Sequence, residues 1–188
     1  MPIKVLPILI ICLCSSFWAR TQDATSGTKE LGIVFQQYPT GSIPGISFTF
    51  GLGQAHSSLQ LRAGYNIVYH GDAGVHESED GGGPGGSLAY LYGFREDRSG
   101  LYLGGRLDFW FNSIDWKDNI GTVAEVTGTT SITVLQPTAA LGYKYLLGQR
   151  FTLTPELALG VEINTQQEGA DVGQGLILLA GITLAHRF

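Results

Sequence analysis

Residues 59–70 read LQLRAGYNIVYH. Leu59, Leu61, Ala63, Tyr65, Ile67 and Tyr69 fall on one side of an extended chain. Gln60, Arg62, Gly64, Asn66 and His70 fall on the other, with Val68 the one apolar residue among them. A period of two over this length predicts a strand whose two faces meet different surroundings.

The same writing recurs on both sides of this stretch. Leu31, Ile33 and Phe35 form an apolar face before it, followed by Ile46, Phe48, Phe50 and Leu52. After it come Leu88, Tyr90, Tyr92 and Phe94, then Leu101, Leu103, Leu107, Phe109 and Phe111 opposite Tyr102, Gly104, Arg106, Asp108, Trp110 and Asn112. A sixth face holds Leu135, Ala139, Leu141, Tyr143 and Tyr145, and a seventh Phe151, Leu153, Leu157, Leu159, Val161 and Ile163. Leu176, Leu178, Ala180, Ile182, Leu184 and Phe188 make the last. Eight strands are predicted, and no helical periodicity of comparable length competes. The links after the second, fourth and sixth segments are short. Those after the third, fifth and seventh (71–87, 113–129 and 165–174) are longer, so the pattern is an up-and-down meander with two unlike rims.

The 188 residues suffice for one domain. With 11 Lys+Arg against 16 Asp+Glu, the formal charge is −5, which leaves no basic surface for nucleic acid. Only 14% of residues are charged while 44% are hydrophobic and 27 are glycine, a balance too apolar for a disordered chain. No apolar run reaches the ~18 residues of a membrane helix, so a membrane crossing would have to use strands.

Met1 to Lys4 gives a positive start, and VLPILIICLC (5–14) a short apolar core followed by Ser15 and Ser16. This is the layout of a secretory signal. Residues 1–20 are therefore read as a cleaved signal, with the cut after Ser16 or Ala19, and 21–188 as the barrel domain. Cys12 and Cys14 both lie in the signal, so the mature chain has no disulfide to form. Ile11, bulky where a small residue would be needed before Cys12, argues against a lipid anchor.

Alternation alone leaves two closed eight-stranded barrels in competition: a soluble lipocalin-like ligand carrier with apolar residues inside, and a membrane barrel with them outside. Four features favour the second. The polar faces are crowded with Gly, Ala, Ser and Thr, which suits a narrow filled interior. The apolar faces run for five to seven positions with scarcely a break, close to the ~9 to 11 tilted residues that cross hydrocarbon. Aromatics gather toward the segment ends: Phe94, Tyr143, Tyr145, Phe151 and Phe188 at one rim, Tyr65, Tyr69, Phe109 and Phe111 toward the other, with Tyr90 and Tyr92 between them. Finally, the chain stops on Phe188 at the end of an apolar-outward strand.

With its signal, eight alternating segments, two-rim loop pattern and terminal Phe188, the chain resembles the small outer-membrane barrels of the OmpX and OmpA-transmembrane type. The resemblance implies an all-β, eight-stranded antiparallel up-and-down transmembrane barrel in the outer membrane of a Gram-negative bacterium, with both termini periplasmic. Outer-membrane lipid and the assembly machinery are the partners it implies, with Phe188 as the assembly signal. Thr183 and His186 depart from the usual ending, where Gly and an aromatic are expected.

Pro137 and Pro155 fall inside the sixth and seventh segments, where a closed ladder has no free edge. A bulge or locally opened pairing is expected at each. Polar faces turned inward gather Arg62, Arg95, Arg106, Lys144 and Arg187 with Asp108, Glu156 and Glu162 in one small lumen. Buried charges must pair. The expectation is an ion network that plugs the barrel.

The acidic, glycine-rich stretch 71–87 (GDAGVHESEDGGGPGGS) is read as a solvated loop, lacking both calcium-loop spacing and the Lys-Ser/Thr of a phosphate loop. No cofactor or metal is expected. His76-Glu77-Ser78 suggests one enzymatic alternative, a lipid A deacylase-like hydrolase with a His-x-Ser pair. In the long link after the fifth segment, Ile114, Trp116 and Ile120 fit either a loop folded over the barrel mouth, the preferred reading, or strand projecting above the membrane. The functional expectation is a structural or interaction role, of adhesion type, through external loops that reach an extracellular partner. A lipid-modifying enzyme, a narrow channel and the soluble carrier are the alternatives.

Overall fold

The computed structural model describes residues 27–53, 55–71 and 75–188; the signal assigned to residues 1–20, with Cys12 and Cys14, lies outside the described residues. Eight strands run β1 (Lys29–Tyr38), β2 (Gly41–Gly51), β3 (Ser57–Gly71), β4 (Ser78–Gly93), β5 (Gly100–Asp118), β6 (Val126–Leu147), β7 (Phe151–Glu168) and β8 (Gly175–Arg187). Each pairs antiparallel with the next, and β1 closes onto β8 from Glu30↔Arg187 to Gln37↔Ala180. The barrel has no free edge to aggregate.

The alternation resolves into inside and outside as the lipid-facing reading expects. Leu31, Ile33, Leu61, Leu88, Leu103, Phe111, Leu141, Leu159 and Leu178 all turn outward and stand roughly half exposed. Gln36, Asn66, Asp108, Gln136 and Thr152 are fully enclosed. A soluble barrel would reverse these positions. Aromatics ring the short-turn rim, where Tyr92 packs edge-on against Phe94 and stacks over His56, and Phe151 and Phe188 flank His186. Tyr92 is the penultimate residue of β4 and pairs with Ser57, the first of β3, so it belongs to this belt and not to the space between belts.

The long links are largely strand. β4 begins at Ser78, so most of the 71–87 stretch is ladder paired to β3 and β5 rather than a solvated loop. β5 and β6 stay paired up to Asp118↔Val126, so the link between them projects as a hairpin and does not fold over the mouth. Beyond Phe111 the phase of the pattern inverts. Ser113, Asp115 and Lys117 face out while Asn112 and Ile114 are buried, because the exterior at this height calls for polar groups. From Asn112 to Asp118 the strand rises on the order of 20 Å, at about 3.3 Å per residue.

Neither proline carries a bulge. Pro137 and Pro155 keep register with β5 and β8, but the β6–β7 ladder skips Gln136–Pro137 and, further down, Thr154–Pro155. Both missing N–H groups thus turn to the same seam. The one register shift in that ladder lies at Thr133/Val134. Gly85 explains part of the glycine run: a Cβ there would collide with the Trp110 ring and the Phe109 carbonyl. The bare backbone lets that indole fill the lumen.

Candidate functional site

The polar interior is organised in tiers. Near the short-turn rim, Lys144 Nζ donates to Glu30 Oε2 at 2.7 Å. One tier up, Arg106 Nε donates to Asp108 Oδ2 at 2.7 Å and its Nη1 to Glu156 Oε1 at 2.6 Å, while Tyr102 Oη donates to Glu156 Oε2 at 2.6 Å. Gln36 joins them, donating to Glu156 Oε1 at 3.2 Å and accepting from Arg62 Nη2 at 2.6 Å. Above that, Trp110 Nε1 donates to Gln136 Oε1 at 3.0 Å, and Gln136 Nε2 donates to Glu162 Oε2 at 2.6 Å. Tyr38 Oη donates to Asn66 Oδ1 at 2.6 Å.

Of the eight charges placed inside from sequence, Arg62, Arg106, Asp108 and Glu156 meet in one cluster. Lys144 forms a separate pair, and Glu162 is reached only through Gln136. Arg187 lies at the rim, donating to Thr28 Oγ1 at 3.1 Å and to the Asp97 carbonyl at 3.2 Å. Arg95 is not in the lumen. β4 ends at Gly93, so Arg95 stands in the turn with a side chain 67% exposed, 3.5 Å from Asp97. Tyr102, Trp110 and Gln136 lie on the polar faces read from sequence but were not counted in the network, while Glu30 and Gln36 were missed. Glu30 and Gln36 share the parity of Gly32 and Val34, so the period of two, extended one residue back from Leu31, contains them.

The far end carries a second cluster. His76 is buried, its ring stacked on Trp116 with centroids 4.2 Å apart. Its Nδ1 meets Asp118 Oδ2 at 2.7 Å and its Nε2 the Asp171 carbonyl at 2.9 Å. Glu79 Oε1 accepts from the Val75 and His76 backbone N–H groups, and Oε2 faces His70 Nε2 at 3.1 Å. The 169–174 link turns inward over the mouth: Thr130 Oγ1 donates to the Ala170 carbonyl at 3.0 Å, and Val172 packs with Ile114, Ile132 and Ile177. Hydrogen bonds from His76 and from the Glu77 N–H hold the Asp118 carboxyl below the usual carboxylate range. At the opposite rim, the Ser99 hydroxyl and N–H do the same for Asp97.

The His-x-Ser pair is not assembled. Ser78 Oγ donates to Asp80 Oδ2 at 3.2 Å, and both ring nitrogens of His76 are turned to Asp118 and Asp171.

No protein-family model and no curated protein matches the chain. Solved structures do. The N-terminal β-barrel domain of Pseudomonas aeruginosa OprF is similar with a TM-score of 0.50 and 16% identity, over 87% of this chain and 98% of that one. Neisserial surface protein A gives 0.52 and 15%, over 86% and 95%. Ail, the attachment invasion locus protein of Yersinia pestis, in complex with the heparin analogue sucrose octasulfate, gives 0.52 and 8%, over 87% and 100%. At these identities the likeness is one of fold. The chain has the closed, eight-stranded antiparallel transmembrane β-barrel fold that these outer-membrane proteins share, as its OmpX- and OmpA-like sequence pattern leads one to expect.

Proposed function

We propose that this protein is an integral outer-membrane barrel with a structural or interaction role, carried by the β5–β6 hairpin and its neighbouring links, and without catalytic activity. The observation that carries the reading is the inversion along β5: apolar residues face out up to Phe111, and polar residues face out beyond it. That boundary fits the edge of a hydrocarbon layer, with the remaining strand standing in water. A paired, stiff projection suits partner binding better than a mobile loop, because less conformational entropy is lost on docking.

Its outward and tip residues Asp115, Glu125 and Lys117 carry excess negative charge. A polyanion such as the heparin analogue bound to Ail is therefore a poor match, and a neutral or basic extracellular partner a better one. The Arg62–Gln36–Glu156–Arg106–Asp108 cluster favours an interior plug over a channel, since an eight-stranded lumen is just wide enough for side chains to fill. The unassembled His-x-Ser pair supports the non-enzymatic reading.

The same layout supports one orientation. Signal cleavage, both termini in the periplasm and the hairpin outside the cell make one consistent arrangement, with Phe188 at the end from which assembly starts. Single cysteines at Gly121 and at Gln149, labelled on whole cells with a membrane-impermeant maleimide, test it. Gly121→Cys is expected to label on intact cells and Gln149→Cys only after permeabilisation; the opposite pattern overturns the orientation, and labelling in a soluble fraction overturns membrane residence.

A further inference from the structure

At the short-turn mouth two guanidinium groups share one oxygen. Arg98 Nη1 donates to Thr28 Oγ1 at 3.2 Å, and Arg187 Nη2 donates to the same atom at 3.1 Å. Arg98 belongs to the β4–β5 turn and Arg187 to the end of β8, so the turn leans across the mouth to bring them together; Arg187 Nη2 also reaches the Asp97 carbonyl at 3.2 Å. Arg98 holds a left-handed backbone, φ 56°, which L side chains rarely adopt. Its guanidinium lies on the bare backbone of Gly51, where a Cβ would collide with it.

Two like charges this close repel, and the oxygen that joins them is neutral. The nearby carboxylates are engaged elsewhere. Glu30 accepts from Lys144 Nζ at 2.7 Å, and Asp97 Oδ1 accepts from the Ser99 hydroxyl and N–H, with Arg95 Nε 3.5 Å away. An oxyanion entering from the mouth would relieve the repulsion and take both guanidinium groups as donors.

A second observation concerns the whole rim. Lys29, Arg95, Arg98, Arg150 and Arg187 stand here against Glu96 and Asp97, in a chain whose formal charge is −5. At the hairpin end Lys117 is the one Lys or Arg among the described residues. The cationic rim lies at headgroup height. Lys29 exchanges backbone hydrogen bonds with Phe188, and Phe188 and Phe151 flank His186 in the aromatic belt. The anions found at that height are lipid phosphates, and the planar guanidinium fork suits them.

We propose that Arg98 and Arg187 hold the phosphate of an anionic phospholipid at the short-turn rim, with Lys29, Arg95 and Arg150 supplying the field that draws it in. The assignment rests on membrane residence and on neither the hairpin's partner nor the orientation. Native mass spectrometry of the full chain, folded in a mild detergent and mixed with phosphatidylglycerol or with phosphatidylcholine of the same acyl chains, tests it. One phosphatidylglycerol is expected per barrel, bound at least about fivefold more tightly than phosphatidylcholine. Arg98→Gln and Arg187→Gln should each weaken it about fivefold, whereas Lys117→Gln, which removes the same charge at the other end, should leave it unchanged. The heat-modifiable gel band shows whether each variant is folded, and Arg98→Gln, in a turn outside the ladder, decides the matter if Arg187→Gln does not fold. Equal retention of the two lipids, wild-type affinity in folded Arg98→Gln, an equal loss in Lys117→Gln, or displacement of the lipid by equimolar inorganic phosphate would overturn the proposal.

Discussion

Arg106 of β5 reaches across β6 to Glu156 of β7, Nη1 to Oε1 at 2.6 Å, with side chains 1% and 11% exposed. The two strands share no ladder, so this ion pair ties together elements that backbone hydrogen bonding leaves one strand apart. The β6–β7 ladder is the one interrupted by both Pro137 and Pro155. The bridge thus spans a seam whose main-chain pairing is interrupted at two prolines.

Removing one partner should therefore cost more than removing the charges together. Glu156→Gln leaves Arg106 buried with only Asp108, and a loss of about 3 to 5 kcal/mol is expected. Arg106→Met with Asp108→Asn and Glu156→Gln should recover much of that. Reversible urea unfolding in detergent, read by tryptophan fluorescence, measures both; additive losses would contradict the coupling.

Gly85 and Trp110 occupy one space. Gly85→Ala should destabilise the barrel by about 1 to 3 kcal/mol through overpacking. Trp110→Phe in the same background should relieve part of it. The temperature at which the compact gel band converts to the unfolded one reads the difference, and an unchanged conversion temperature in Gly85→Ala would contradict the packing.

Asp118 gives a pH signature. Its carboxyl titrates below the ordinary value, so its contribution is fully present above the unfolded pKa of about 3.9 and is lost as pH falls through the lower, folded value. The Glu77 amide donates to Asp118 Oδ1 at 3.0 Å. Its NMR shift should inflect on the acid side of 3.9, and Asp118→Asn should abolish that inflection. An inflection that survives the substitution would assign it elsewhere.

Most of the ladder was legible in the sequence because lipid and lumen impose opposite demands on alternate residues, as Leu59 to Tyr69 display. Legibility failed where those demands change. Above Phe111 the exterior becomes polar, so Ile114 and Trp116 turn inward and a strand reads as a loop. In Ser78–Gly86 glycine removes the contrast on both faces, and its reasons are tertiary: Gly85 makes room for Trp110, and a Cβ at Gly83 would collide with the Phe111 carbonyl. The network was sought through charges alone, which found Arg106 and Glu156, left out Tyr102 although it shares their face, and missed the neutral Gln36 that connects them. Arg95 was misplaced because parity was carried past the end of β4 at Gly93.

The lipid-facing surface should tolerate charge poorly. Leu159, 51% exposed in the middle of β7, should cost roughly 2 to 4 kcal/mol when replaced by Arg if it lies near the bilayer midplane. Lys117→Glu, on the projecting hairpin, should be nearly silent. Equal effects in refolding titrations into lipid vesicles would contradict the assigned water boundary.

The most direct test of barrel polarity is collision of nitroxide labels placed at Leu157, Ala158 and Leu159 of the signal-free chain refolded in vesicles. Labels at Leu157 and Leu159 are expected to be relaxed by oxygen and shielded from a water-soluble nickel chelate, with the Ala158 label buried and nearly inaccessible to both. Nickel access at 157 and 159 would place the apolar face in water, and the account would be wrong.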